Sequence, residues 1–165
     1  MSPAQARSRL TPLRNALKPG SSLLGAVQNG LTALTPDHIG LIERELRPQL
    51  TDSLDLDAAT RHSHPQENRW DYLVGVGLNK VTVALEAHAA KDNQVSNVIA
   101  KRQSTLQVLS AHLKPGAKVS RWLWLASGKV QFAKTESARL RLSGHGIEFV
   151  GNQLRRDHLG LRAGG

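Results

Sequence analysis

Trp70-Asp71-Tyr72-Leu73-Val74-Gly75-Val76, then Gly77-Leu78-Asn79-Lys80, then Val81-Thr82-Val83-Ala84-Leu85-Glu86-Ala87-His88 is the stretch that decides the fold of this chain. Its outer blocks are rich in β-branched and aromatic residues, and the middle block carries turn chemistry, so the whole predicts a β-hairpin. With Val76 opposite Val81 across the turn, Tyr72, Val74 and Val76 share one face with Leu85, Val83 and Val81. The other face carries Asp71, Leu73 and Gly75 against Glu86, Ala84 and Thr82, and His88 follows Glu86 on that side. A slip of one residue would turn the apolar set to the wrong face, so the register is well specified.

That register sets Asp71 directly opposite Glu86, with Cβ atoms about 4.5–5.5 Å apart. Like charges facing each other on a sheet are destabilising unless a proton, a basic side chain or a divalent cation neutralises them. A hard cation such as Mg²⁺ takes oxygen ligands and accepts one or two carboxylates together with substrate phosphate. The plain structural alternative is that Asp71 caps the strand edge and Glu86 pairs with Arg69 or Lys91, as surface ion pairs commonly do.

Outward from the hairpin the pattern alternates. On the N-terminal side, Thr35-Pro36-Asp37 is a helix start, with Thr as N-cap and Pro at the first helical position. Leu34, His38, Leu41, Ile42, Glu45 and Leu46 recur at helical spacing and Pro48 closes the element. Ser21 to Leu34 reads as a short helix, and Thr51 to Asn68 as polar and irregular, with one helical turn near Leu54 to Ala59. On the C-terminal side, Asp92 or Asn93 opens a helix running to about Leu113, with Val95, Val98, Ile99, Arg102, Leu106, Leu109 and Leu113 as its stripe. Lys114-Pro115-Gly116 ends it. Val119 to Ala126 reads as a strand with Trp122 and Trp124 turned to a core, Ser127-Gly128-Lys129 as a turn, Thr135 to Leu142 as a helix, and Ile147 to Val150 as a last strand. The order helix, strand, strand, helix, strand, helix, strand predicts an α/β domain over 35–150, with a mixed central β-sheet flanked by helices. Residues 1–34 read as a basic N-terminal arm with short helices, and 151–165 as a basic, mobile C-terminal tail.

Composition sets limits around this core. The 165 residues suit one domain, and with aromatics at only 4% the interior must be built from Leu, Val, Ile and Ala. There is no Cys, which removes disulfides, Cys-ligated zinc or iron–sulfur sites and a thiol nucleophile. Apolar runs such as Trp122 to Ala126 are too short to span a bilayer, and Met1 to Gly20 lacks the apolar segment of a secretory signal, so a soluble cytoplasmic protein is expected. The net charge of +9 is lopsided. Residues 1–90 hold nine Lys/Arg and nine Asp/Glu; residues 91–165 hold thirteen and four. A basic half of this kind attracts polyanions through Coulomb forces and counterion release, and makes nucleic acid the expected partner.

An acid at the head of one strand, then Glu-x-basic on the next, then a long helix and a strand, resembles the PD-(D/E)XK nuclease-like superfamily over roughly residues 35–150. The elements are Asp71 and Glu86-Ala87-His88. The resemblance implies a restriction-endonuclease-like core in which Asp71 and Glu86 bind Mg²⁺ or Mn²⁺, helped by an acid on the preceding helix (Glu45, or Glu43 as second choice). It also implies that the third position orients or activates the attacking water. Two departures stand out: Trp70 occupies the place of the motif's Pro, and His88 that of its Lys. A neutral His ligates metals and serves as a general base, and its presence also fits a site that has lost activity.

The expected functions are therefore a metal-dependent nuclease with Asp71, Glu86 and His88 as catalytic residues, a nuclease-like fold that binds nucleic acid without cutting it, or a protein-interaction module. Lys101 and Arg102 on the helix after Glu86, with Arg121 and Lys129, are the candidate nucleic-acid contacts. His62 and His64 form a weaker His-x-His candidate for a transition metal. Gly75 and Gly77 precede no helix start and make no phosphate loop, and no Gly-x-Ser-x-Gly elbow occurs.

Overall fold

The computed structural model describes residues 10–65, 68–132 and 135–161. Its helices are α1 (Pro12–Ala16), α2 (Pro36–Ile39), α3 (Leu56–Thr60), α4 (Asp92–Ser110) and α5 (Thr135–Gly144). Its strands, β1 (Gln28–Asn29), β2 (Leu50–Asp55), β3 (Tyr72–Val76), β4 (Val81–Lys91), β5 (Val119–Gln131) and β6 (Ile147–Gly151), form one six-stranded sheet in that order. β1 to β4 are antiparallel neighbours, whereas β5 and β6 each join in parallel. A parallel neighbour demands a long crossover, and α4 and α5 supply the two that are needed.

The hairpin adopts the register its polarity specifies: Tyr72 faces Leu85, Val74 faces Val83 and Val76 faces Val81. Alternation then splits the core in two. Leu73, Ala84, Trp122 and Trp124 pack on one face with Val95, Val98, Ile99 and Leu109 of α4 and with Leu13 of α1. Tyr72, Val74, Val83, Leu85, Leu123 and Leu125 pack on the other with Ile42, Leu46, Leu154 and Leu159. Trp122 and Trp124 belong to the first cluster, as their spacing predicted.

Three expectations are corrected. The polar run from Thr51 is not irregular: it forms β2, between β1 and β3. Its polar side chains are spent internally. Buried Asp52 accepts hydrogen bonds from the backbone N–H groups of Leu13 (3.0 Å) and Arg14 (3.2 Å), so it caps α1, and Ser53 Oγ accepts from Ala33 N (3.1 Å). The segment from Leu13 to Val27 is no separate arm, because Leu13, Leu17, Leu23 and Val27 are all buried in the first cluster. Likewise Leu154 and Leu159, expected in a mobile tail, are fully buried in the second. Smaller shifts follow the same lesson. Residues 24–26 and 44–49 form 3-10 rather than α-helical turns, and β5 continues through Ser127-Gly128-Lys129, where Gly128 takes φ +93° beside an irregularity in the β4–β5 pairing.

Candidate functional site

Asp71 immediately precedes β3 and Glu86 lies on β4, on the face covered by α4. The backbone clamps Asp71 in place. Its N–H donates to Glu86 Oε1 (3.1 Å), and its carbonyl accepts from Leu56 N (2.9 Å). Trp70, one residue earlier, is wholly buried and anchored to α4 twice: its backbone N–H donates to Thr105 Oγ1 (3.0 Å), and its indole N–H donates to the Val98 carbonyl (3.1 Å). A proline at 70 has no N–H for the first of these bonds, which gives the departure from the motif a local physical reason.

The two carboxylates meet as the register requires. Ala87 N donates to Asp71 Oδ2 (3.0 Å), the reciprocal of the Asp71 N–H to Glu86 bond. Glu86 is fully buried and Asp71 half-buried. The neutraliser is basic: Lys101 of α4 extends its ammonium to Glu86 Oε2 at 2.9 Å. One cation against two acids is not enough. Burial, reinforced by the charge of Asp71, pushes the Glu86 carboxyl up to about 8, against the pull of Lys101. Burial also raises Asp71, partly offset by the Ala87 hydrogen bond and by Lys101.

His88 stands two residues further along the same face of β4. Its Nε2 lies 2.8 Å from Gln94 Oε1, which also accepts from Asn97 Nδ2 (3.1 Å). An amide oxygen is an acceptor, so His88 is assigned as the Nε2–H donor, and in the neutral ring Nδ1 carries the lone pair.

The other expected site residues lie apart from this group. Glu45 is exposed on a 3-10 turn (residues 44–49) whose Leu46 packs into the second cluster, on the opposite face of the sheet, so it does not join Asp71 and Glu86. Glu43 belongs to the same side, its N–H bonded to the Leu154 carbonyl. Among the described residues no group of three or more His, Asp or Glu side chains gathers as a ready metal cage. His62 and His64 follow α3 in a turn instead of lying on a strand, so the alternation that would align the two rings is missing. Of the proposed nucleic-acid contacts, Lys101 turns inward to Glu86, Arg102 lies over the Trp122 ring (5.0 Å to its centre), and Arg121 and Lys129 are exposed. The role of Lys101 was missed although its signal was present. Gln94, Asn97, Lys101 and Thr105 recur at three- and four-residue spacing, a polar seam beside the apolar stripe of α4.

Asp71 and Glu86 are the residues that would hold a hard cation, in exchange for the proton that Glu86 keeps up to about pH 8. Each Glu86 oxygen accepts one hydrogen bond and Asp71 Oδ2 accepts another, while an ionised carboxylate offers about four lone-pair sites. Two carboxylates are also what Mg²⁺ usually takes from protein. No family model matches the chain, and neither does any curated protein or solved structure. Among the described residues no helix is long and apolar enough to cross a membrane.

Proposed function

We propose that the chain is a metal-dependent nuclease that hydrolyses phosphodiester bonds in nucleic acid. The observation that carries this reading is the convergence of Asp71, Glu86 and Lys101 where β3 begins, with Glu86 accepting from both the Asp71 N–H and the Lys101 ammonium. The element order supports it: the acid before β3, Glu86 on the neighbouring β4, then the long α4 and the strand β5, which is the order on which the nuclease-like resemblance rests. In this reading Lys101 supplies, from α4, the lysine that position 88 lacks.

Asp71 and Glu86 would hold Mg²⁺ or Mn²⁺. Such a cation supplies Lewis-acid stabilisation of the negative charge that develops on phosphate. The chain's own groups do the rest. Lys101 holds Glu86 in place and brings a positive charge to the attacked phosphate. His88, fixed by Gln94, accepts a proton from the attacking water at Nδ1. The water oxygen bonds to phosphorus, one P–O ester bond breaks, the departing oxygen takes a proton from solvent to become a free hydroxyl, and His88 returns its proton to solvent, leaving a phosphomonoester.

The test is cleavage of a panel of duplex DNA, single-stranded DNA and RNA with Mg²⁺ or Mn²⁺. Asp71→Asn, Glu86→Gln and Lys101→Met are each expected to lose roughly 10²-fold or more of the activity. Cleavage that survives Glu86→Gln or excess EDTA overturns the reading. A second reading, a nuclease-like module that binds nucleic acid without cutting it, is favoured by the complete burial of Glu86 against Lys101 and by the distance of Glu45 from both acids. It predicts salt-sensitive binding that metal does not affect.

A further inference from the structure

On the same face of the sheet, but across α4 from the carboxylates, lies a hollow of about 500 Å³ between α5, β5 and β6. Its walls include Arg139 and Ser143 of α5, Ser120 and Trp122 of β5, and Gly146 before β6; Arg121 also lines it. Glu148 is the only acid among these lining residues.

Three observations bear on the ligand this hollow would take. Arg139 is exposed and lies over the ring of Phe149, 5.4 Å from its centre. Ser143 follows it by one helical turn on α5, so a hydroxyl donor and a guanidinium face the same space. Arg102 abuts the hollow from α4. It lies over Trp122, and its Nη2 comes so near Gly146 that a Cβ there would stand 3.1 Å away. Gly146, at φ +74°, leaves the room this guanidinium fills. Among the described residues Arg102 makes no ion pair, and its buried Nε has no hydrogen-bond partner. Burial also pulls its pKa below the ordinary value. The Nε is shielded from the hollow, whereas Nη2, beside Gly146 of its lining, is the Arg102 donor nearest to it. Arginine forks match phosphate oxygens in geometry and charge, and a volume of this size falls within the range of small-ligand sites, about 300–1,000 Å³.

We propose that this hollow binds a phosphate group carried by a nucleotide, either free or within a strand, with Arg139 and Arg102 as its cationic partners and Ser143 as a hydroxyl donor. The site is independent of whether Asp71 and Glu86 cut. It lies beyond α4 from them and uses none of their atoms.

The experiment is isothermal titration of the full chain in EDTA, which silences the proposed cleavage, with inorganic phosphate, a 5′-mononucleotide and a single-stranded oligonucleotide as the three probes. Arg139→Gln, Arg102→Gln and Ser143→Asp are the variants. Each is expected to weaken binding by roughly tenfold or more, with Ser143→Asp the most severe because it places a carboxylate between the arginines. Variant-sensitive binding of phosphate and mononucleotide identifies a free nucleotide as the source, and variant-sensitive binding of the oligonucleotide alone identifies a strand. Either supports the site. If no probe binds, or if binding of every probe is unchanged within twofold in the variants, the proposal is overturned. Arg102 packs on Trp122 and its replacement threatens folding; Arg139 and Ser143 are exposed, so their variants carry the test alone if Arg102→Gln does not fold. Glu86→Gln, which ends cleavage in the proposed nuclease, leaves this binding intact, so failure of one proposal is distinct from failure of the other.

Discussion

Replacing Glu86 by Gln makes a sharp prediction because the residue is fully buried, faces a second acid and has its carboxyl held at about 8 rather than 4.5. Below about pH 4.5 the group is protonated in both the folded and the unfolded chain, and its environment costs nothing extra. As the pH rises from there to about 8, the unfolded chain ionises while the folded one keeps its proton, so wild-type stability falls by about 1.4 kcal/mol per pH unit from this group alone. Above about 8 both are ionised and the loss is complete, on the order of 5 kcal/mol in total. Glutamine keeps the shape and an acceptor for the Asp71 N–H but carries no charge. Its amide NH2 meets the Lys101 ammonium where Glu86 Oε2 accepted, a pH-independent offset, so relative to its value near pH 4 the stability gap is expected to shift progressively in favour of the variant towards about pH 8. Urea unfolding of both proteins across that range measures the gap directly. A gap that stays flat, or that shifts in favour of the wild type towards alkaline pH, would show that Lys101 already satisfies Glu86 and would refute the account of an under-neutralised pair. Metal sharpens the assay. At a Mg²⁺ concentration of about ten times the dissociation constant, the wild type should gain about 1.4 kcal/mol and Glu86→Gln distinctly less.

Three further substitutions test the structural parts. Gly75→Ala would put a Cβ 1.9 Å from Asp52 Oδ1 and 3.1 Å from Pro12 Cβ, so it should cost about 3 kcal/mol in urea unfolding by displacing the cap of α1. Asp52→Ala removes the acceptor for the Leu13 and Arg14 N–H groups and is expected to cost about 1–2 kcal/mol, whereas Asp52→Asn keeps an oxygen there and should cost less; equal midpoints for the two would contradict the capping role. Leu154→Ala should destabilise by about 2–5 kcal/mol because Leu154 is fully buried, and a thermal midpoint unchanged from wild type would mean that this segment does not belong to the core.

How far the sequence could be read depended on which partner a residue serves. The hairpin from Tyr72 to Leu85 was legible because its alternation has one solution, and the opposition of Asp71 to Glu86 followed from it. The helix after β4 was legible from its apolar stripe. β2 was not, because Asp52 and Ser53 are polar and bury themselves by bonding to Leu13, Arg14 and Ala33, partners distant in sequence. The same limit hid the docking of Leu13, Leu17, Leu154 and Leu159, since isolated leucines in polar, Pro- or Gly-bearing segments carry no period. In the site, the carboxylates could be paired by register alone, but the lysine that meets them could not. It comes from α4, and only the packing of helix on sheet decides which turn lies over Glu86. Glu45 failed for the converse reason: helical spacing placed it near a helix face and said nothing of which side of the sheet that helix covers.

The placement of charge around α4 bears on both proposals. Successive helical residues project about 100° apart, so Lys101 and Arg102, adjacent in sequence, part across the helix. Lys101 reaches back to Glu86 on β4, while Arg102 lies on Trp122 of β5. One side of α4 then holds two acids against one lysine, an excess of negative charge that raises Glu86. The other side holds Arg121 and Arg139 against the single acid Glu148, with Arg102 beside them, an excess of positive charge. Stability alone would favour pairing the spare acid with the spare guanidinium, because separate burial of like charges is costly. At neutral pH the first excess is met by the proton that Glu86 keeps, which the metal proposed for this pair would replace; the second is met by no ion pair to Arg102 among the described residues. A phosphate ester brought to the protein with a divalent metal would present a cation to the first and an anion to the second, and that shared ligand chemistry is where the two proposals meet.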